Sequence, residues 1–131
     1  MLENPPVVSI HAYVRPAQLL EPIESKLRTL ETLQEFGAID RVTIRASPEA
    51  IPMDSSGPFA HSIEAYEEFR DWADRVGVSL APSFRISEQS TIASSGTKRV
   101  LRMPVLSVGV YLNSVLTAVF PHSDGDRHYS V

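Results

Sequence analysis

Four histidines and the absence of cysteine limit the chemistry that this 131-residue chain can perform. Without cysteine there are no disulfides, thiolate metal sites or thiol catalysis. The histidines are His11, His61, His122 and His128, and no two of them form an HExxH motif or stand at helical i, i+4 spacing. We interpret His11, on a strand face, as a hydrogen-bonded core or boundary residue and not as a ligand.

The C-terminal stretch contains a second group of polar side chains, namely His122, Asp124, Asp126 and His128. These side chains could hold a divalent cation. An EF-hand loop, however, requires about twelve residues and a closing glutamate, which this stretch does not supply. We therefore expect a solvated polar tail without a metal.

Two other patterns resemble catalytic or binding motifs without matching them. Glu67, Glu68 and Asp71 have helical spacing, but solvated helix charge is the ordinary explanation. The segment Ser94 to Lys98 lacks the pattern of a phosphate-binding loop, and no nucleophile elbow or dinucleotide fingerprint occurs. The sequence predicts no enzyme activity, no cofactor and no small-molecule substrate.

Length and charge restrict the class of protein further. The length suits one α/β domain over residues 1–131. Because the N-terminus does not have the pattern of a signal peptide, we expect a cytoplasmic protein. No apolar run approaches the roughly 20 residues that span a bilayer. The net charge of −4 and the scattered arginines weaken a nucleic-acid interpretation, although a local basic patch can still bind phosphates.

The most apolar segment, Arg102 to Phe120, predicts two strands joined by a two-residue turn at Asn113 and Ser114. Both faces of this hairpin are mostly apolar, which indicates a central position in a sheet. A two-residue turn predicts the cross-strand pairs Leu112–Val115, Tyr111–Leu116, Val110–Thr117, Gly109–Ala118 and Val108–Val119.

The N-terminal half predicts a strand, a helix and a second strand. A strand over Val7 to Val14 has two largely apolar faces, and a helix runs from about Glu21 to Phe36, ending at Gly37. Ile39 to Ala46 alternates, with Arg41 and Arg45 on its polar face, so we place this strand at a sheet edge. A crossover of this length predicts a right-handed parallel pair.

The middle of the chain predicts a loop, a helix and an irregular excursion. Ser47 to Pro58 is interpreted as a loop, and a helix capped by Ser62 ends at Gly77. Residues 83–97 are the least interpretable, with a hairpin between Leu80–Gly96 and Thr97–Met103 as one interpretation. A helix-turn-helix needs two helices joined by three or four residues, and the intervening strand and loop exclude that adjacency here.

Six short segments carry a resemblance to a known family: Tyr13–Arg15, Gly37–Asp40, Phe69–Ala73, Leu80–Phe84, Met103–Val105 and Pro121–Gly125. Across most of its length the chain resembles small haloarchaeal proteins commonly labelled helix-turn-helix domain proteins. The resemblance implies DNA binding without implying particular contact residues. Members of that family tend to continue into a C-terminal helix.

The order of the predicted elements also resembles the thioredoxin-like topology, a βαβ unit followed by a helix and a hairpin in one mixed sheet. In that topology the hairpin packs beside the first strand and the second strand is an edge. Without redox cysteines, such a fold would be non-catalytic. A ferredoxin-like α+β arrangement is the alternative.

Two functional hypotheses follow. Without a final helix, part of one sheet face lacks apolar cover, and this part includes Val105, Leu116 and Phe120. An uncovered apolar face of this kind indicates a homodimer or a protein partner. The first hypothesis is therefore a non-enzymatic domain that acts in regulation through protein interaction. The alternative is a DNA-binding transcriptional regulator that contacts nucleic acid through Arg41 and Arg45.

Overall fold

The structure, a computed structural model, describes residues 6–15, 23–53, 59–90 and 97–131, without the side chains of residues 89, 90, 97 and 98. Within these residues the elements follow one another as β1 (Val8–Val14), α1 (Ile23–Glu35), β2 (Arg41–Ala46), β3 (Ala50–Pro52), α2 (Ala60–Val76), β4 (Arg85–Ser90), β5 (Thr97–Arg102), β6 (Leu106–Leu112), β7 (Val115–Phe120), β8 (His122–Asp124) and β9 (Arg127–Tyr129).

The main sheet has the strand order β2-β1-β6-β7. Strand β1 pairs in parallel with β2 and antiparallel with β6, and β6 pairs antiparallel with β7. The predicted α/β class is therefore confirmed. The predicted parallel pair is confirmed as well, and so is the position of the polar strand β2 at a sheet edge.

Strand β1 is buried on both faces because successive side chains point to opposite sides. Ile10, Ala12 and Val14 pack in one cluster with the apolar residues of α1, whereas Tyr13 packs in a second cluster with α2. The two helices therefore cover opposite faces of the sheet. The described part of α1 agrees with the predicted helix, of which residues 21 and 22 lie outside the described residues.

Helix α2 lies close to β6 where that strand has no side chain. An ideal Cβ added to Gly109 would lie 2.8 Å from Cε1 of Phe69, whose side chain is fully buried. On the same helix, Trp72 Nε1 donates a hydrogen bond of 3.1 Å to the Thr117 carbonyl. These contacts hold α2 over β6 and β7.

The two ends of α2 differ in how well the sequence predicts them. The helix ends as predicted at Gly77, which has a φ of 81° and donates its N–H to the Ala73 carbonyl. The predicted start is wrong, because the N-cap position is Phe59. Ser62 is buried, and its Oγ lies 3.0 Å from that of Ser47, so its hydroxyl joins the helix to the segment after β2.

The turn of the β6–β7 hairpin is as predicted, with positive φ at Asn113 and Ser114. The two predicted cross-strand pairs next to the turn are confirmed, namely Leu112–Val115 and Tyr111–Leu116. Farther along, a register shift gives the pairs Val110–Ala118, Gly109–Val119 and Val108–Phe120. The predicted pairs there are wrong because the strands are interrupted at Thr117. Its hydroxyl donates to the Val110 carbonyl at 3.0 Å, which replaces regular pairing with a bulge.

Three smaller elements lie outside the main sheet. Strand β3 occurs inside the predicted loop Ser47–Pro58, of which residues 54–58 lie outside the described residues. The predicted hairpin in residues 80–103 is confirmed as β4 and β5, which form a sheet of order β3-β5-β4. The expected solvated tail is instead a hairpin of β8 and β9. The cis peptide bonds in the described segments precede Pro82 and Pro121.

The described helices do not form a helix-turn-helix. Residues 36–59, which include β2 and β3, separate α1 from α2. This separation agrees with the sequence interpretation. Neither of the two helices in the described segments has the length and apolar character of a membrane span.

Candidate functional site

Arg41 and Arg45 lie on the edge strand β2 and are exposed. They pair with Ser9 and Tyr13 of β1, so both belong to the face of the sheet that carries α2. The predicted grouping of these two arginines on one strand face is therefore present.

Next to this edge, a cleft of about 280 Å³ opens between the sheet and α2. We call it the polar cleft. The sheet contributes His11, Tyr13, Arg45 and Tyr111, and α2 contributes His61, Glu64, Ala65 and Glu68. The cation of the cleft is therefore on the sheet, and both carboxylates are on the helix.

His11 is half-buried on the floor of the cleft, with its ring centroid 4.9 Å from that of Tyr111. Burial lowers the pKa of His11 below its usual value, and the guanidinium groups of Arg45 and Arg41 lower it further, while Glu68 acts in the opposite direction. The imidazole is therefore neutral at neutral pH, with one nitrogen as donor and the other as acceptor.

The two phenols of the cleft stay protonated. Burial raises the pKa of Tyr111, and a hydrogen bond with the side chain of Glu68 raises it further. Burial also raises the pKa of Tyr13. The Glu68 carboxylate therefore lies near the Tyr111 phenol at the edge of the cleft.

His61 brings a buried polar atom to the cleft. Its Nε2 is buried and has no hydrogen-bond partner within the described residues. The ring lies nearly parallel to that of Tyr13, with centroids 6.2 Å apart and an interplanar angle of 20°. An unpaired buried nitrogen lowers the free energy of unfolding, because the folded state does not replace its hydrogen bond to water.

The sequence contains no clear signal for this cleft. The predicted acidic group of Glu67, Glu68 and Asp71 is only partly present at the site, since Glu68 alone lines the cleft. His11 was expected at a core boundary, and its half-buried position agrees with that expectation. Its neighbours come from β2, β6 and α2, which only the tertiary structure brings together.

The predicted apolar interface divides between the two sides of the sheet. Phe120 lines a groove of about 280 Å³ on the α1 side, and Val105 lines an adjacent depression with Ile23 and Val131. Leu116 does not belong to this face. It is 7% exposed in the cluster beneath α2, because Leu116 lies before the β7 bulge and points to the other side.

The two histidines of the tail contact a backbone carbonyl and neighbouring side chains. His122 Nδ1 lies 2.6 Å from the Val119 carbonyl, and its ring stacks on Tyr129 with centroids 4.9 Å apart. His128 Nδ1 lies 3.2 Å from Ser123 Oγ. In the described segments, no three His, Asp or Glu side chains come together in a way that could hold a metal ion.

The lowered pKa of His11 predicts a pH-dependent stability. On acidification below about 6.5, the usual value for histidine, the unfolded chain takes up this proton before the folded protein does, so the free energy of unfolding falls. In His11→Gln this contribution is absent. We expect the variant to lose less stability than the parent between about pH 7 and about pH 5 in urea unfolding.

His128→Gln, at an exposed position, is the matched control and should follow the parent. An unchanged pH dependence in His11→Gln would show that His11 is not held neutral by the cleft.

Comparison with known proteins identifies the family. A family model described as a helix-turn-helix domain matches residues 3–131. No curated protein and no solved structure matches the chain, so the thioredoxin-like resemblance of its topology stays a prediction. Because the family model covers nearly the whole sequence, the chain belongs to the helix-turn-helix domain family.

Proposed function

We propose that the protein is a non-enzymatic, cytoplasmic transcriptional regulator that binds DNA. The observation that carries this proposal is its membership of the helix-turn-helix domain family over residues 3–131. Proteins with that motif contact the duplex through a helix in the major groove and through phosphate contacts. With a net charge of −4, attraction to DNA must come from a local group of cations.

The proposed contact is the edge strand β2. The described helices lie on opposite faces of the sheet, so they cannot dock together as a helix-turn-helix pair. Arg41 and Arg45 are exposed and stand on one strand face, and none of the described strands pairs with the outer side of β2. Guanidinium groups suit phosphate oxygens because their donors match them in pairs.

The ribbon of β4 and β5 is the competing basic surface. Arg85 and Arg99 are exposed on it, and beyond β3 it continues as two strands, a form that fits the major groove. Arg102 is a weaker candidate because its Nη1 lies 3.9 Å from Glu49 Oε1 and its side chain is half-buried.

Salt dependence tests the proposal. The parent should bind a random duplex at low salt, with log affinity falling linearly as log salt rises. In Arg41→Gln/Arg45→Gln the slope of log affinity against log salt should become less negative by about two. Each lost phosphate contact is expected to change this slope by about one. Fluorescence anisotropy with a labelled duplex measures both quantities.

Two comparison variants make the result specific. Arg28→Gln changes the charge on α1, on the opposite face of the sheet, and should leave the slope near that of the parent. Arg85→Gln/Arg99→Gln tests the ribbon, and it removes the same two positive charges as Arg41→Gln/Arg45→Gln does on β2. A parent that does not bind any duplex at low salt would reject DNA binding, and a slope that falls only in the ribbon variant would reject β2.

A second proposed function is protein interaction through the α1 face. The apolar groove on that face is lined by Ile10, Leu30, Val108, Val110, Phe120, Ser130 and Val131. At the end of α1, Phe36 is 83% exposed. Apolar surface of this kind usually marks an interface. We propose a second copy of the chain as the partner, since dimeric regulators bind two half-sites.

Light scattering with size-exclusion chromatography tests the homodimer. The parent should form dimers at micromolar concentration, and Phe120→Glu should raise the dimer dissociation constant about tenfold or more by burying a charge. Val76→Glu, at a half-exposed position at the end of α2, is the matched control. A parent that is monomeric throughout this range would reject the homodimer.

A further inference from the structure

We propose that the polar cleft binds a small zwitterionic ligand of the α-amino acid class, with its carboxylate on Arg45 and its ammonium group on Glu64. This inference concerns the cleft between β1, β2 and α2. It does not depend on whether the protein binds DNA.

The charges on the two walls of the cleft carry the inference. Arg45 is on the sheet, and Glu64 and Glu68 are on α2. The ion pairs within the described residues are Arg28–Glu24 and Arg102–Glu49, so the two walls are not bridged to each other. A ligand with both charges can satisfy both walls at once.

Opposite charges on the walls favour a ligand that carries both charges over a small ion inside the cleft. There, a small anion at Arg45 would face the carboxylates of α2, and a small cation at Glu64 would face Arg45. The DNA phosphates proposed for β2 would instead approach from the outer edge of the sheet. A carboxylate can accept two parallel hydrogen bonds from one guanidinium, which makes Arg45 the natural partner for that end of the ligand. Since Glu68 lies close enough to the Tyr111 phenol to raise its pKa, Glu64 is the freer carboxylate for an ammonium group.

The floor of the cleft suits the uncharged part of the ligand. Tyr13, His11 and Tyr111 present ring surfaces without a net charge, which can lie against an apolar or aromatic side chain. The cleft therefore combines two charged ends with a neutral, largely aromatic floor.

The size of the cleft selects the ligand class. Its volume is about 280 Å³, and a water molecule occupies about 30 Å³ in the liquid. The space therefore suits on the order of ten non-hydrogen atoms. This is the size of an amino acid with a substantial side chain.

Isothermal titration calorimetry with the full chain, without DNA, tests the inference. Each protein amino acid is titrated at concentrations up to about 10 mM, and we expect at least one to bind. Its affinity should fall about tenfold or more in Arg45→Gln and in Glu64→Gln. Both positions are exposed, so the variants should fold, and their thermal unfolding checks this.

Matched controls separate recognition from a general change in charge. Glu67→Gln lies on α2 outside the cleft, and Arg28→Gln lies on α1, so both should bind as the parent does. The amine that corresponds to the bound amino acid lacks the carboxylate and should bind the parent about tenfold more weakly. Arg45→Gln should no longer distinguish the amine from the amino acid.

Three results would overturn the inference. In the first, no protein amino acid binds at about 10 mM. In the second, neither Arg45→Gln nor Glu64→Gln changes the affinity for the bound amino acid. In the third, the parent binds the amino acid and its amine with equal affinity. Since the titration contains no DNA, a failure here is distinguishable from a failure of DNA binding.

Discussion

The burial of β1 on both faces is the constraint on which the rest of this structure depends. Ile10, Ala12 and Val14 require apolar cover on one side of the sheet, and Tyr13 requires it on the other. The parallel crossover from β1 to β2 places α1 on the first side, and α2 covers the second. Consequently the thickness of the sheet lies between the helices, and they cannot form the adjacent pair that the family name implies.

The position of α2 also explains why the polar cleft exists. A helix is about 10 Å wide and neighbouring strands are about 4.8 Å apart, so one helix covers roughly two strands. Because Phe69 packs on Gly109 and Trp72 bonds to Thr117, α2 lies over β6 and β7. The α2-facing side chains nearer β2, which include His11 and Arg45, are left at the margin of the helix.

The two sides of the sheet therefore differ in chemistry. The α1 side has an apolar groove beside Phe120, and the α2 side has charged and aromatic groups. This difference supports separate proposals for the two sides, protein association on the first and DNA or small-molecule binding on the second. Arg45 belongs to both surfaces proposed for the α2 side.

Much of the fold could be predicted because it depends on local patterns. A short β-rich segment with two apolar faces identified β1, and alternation identified β2. Gly37 and Gly77 marked the ends of the helices, and Asn113–Ser114 set the hairpin turn. These features need only neighbouring residues. The parallel pairing of β1 and β2 followed from the length of the crossover, and the edge position of β2 from its polar face. The pairing of β1 with the hairpin was expected only from the thioredoxin-like resemblance.

The errors at Leu116 and Ser62 have a different physical origin, since they depend on contacts between residues distant in sequence. The β7 bulge involves Thr117 and Trp72, and it separates Leu116 from the face of Phe120. Ser62 fails as a cap because its hydroxyl meets Ser47. The same limitation applies to the polar cleft, whose residues come from four elements.

The most direct test of the central claim, that a strand edge and not a helix pair contacts DNA, is residue-resolved mapping of the contact. Isotope-labelled protein would be titrated with a short duplex at low salt and followed by amide NMR shifts. We predict the largest shifts in β2, from Arg41 to Ala46. Shifts confined to α1 and α2, with β2 unchanged, would contradict the claim.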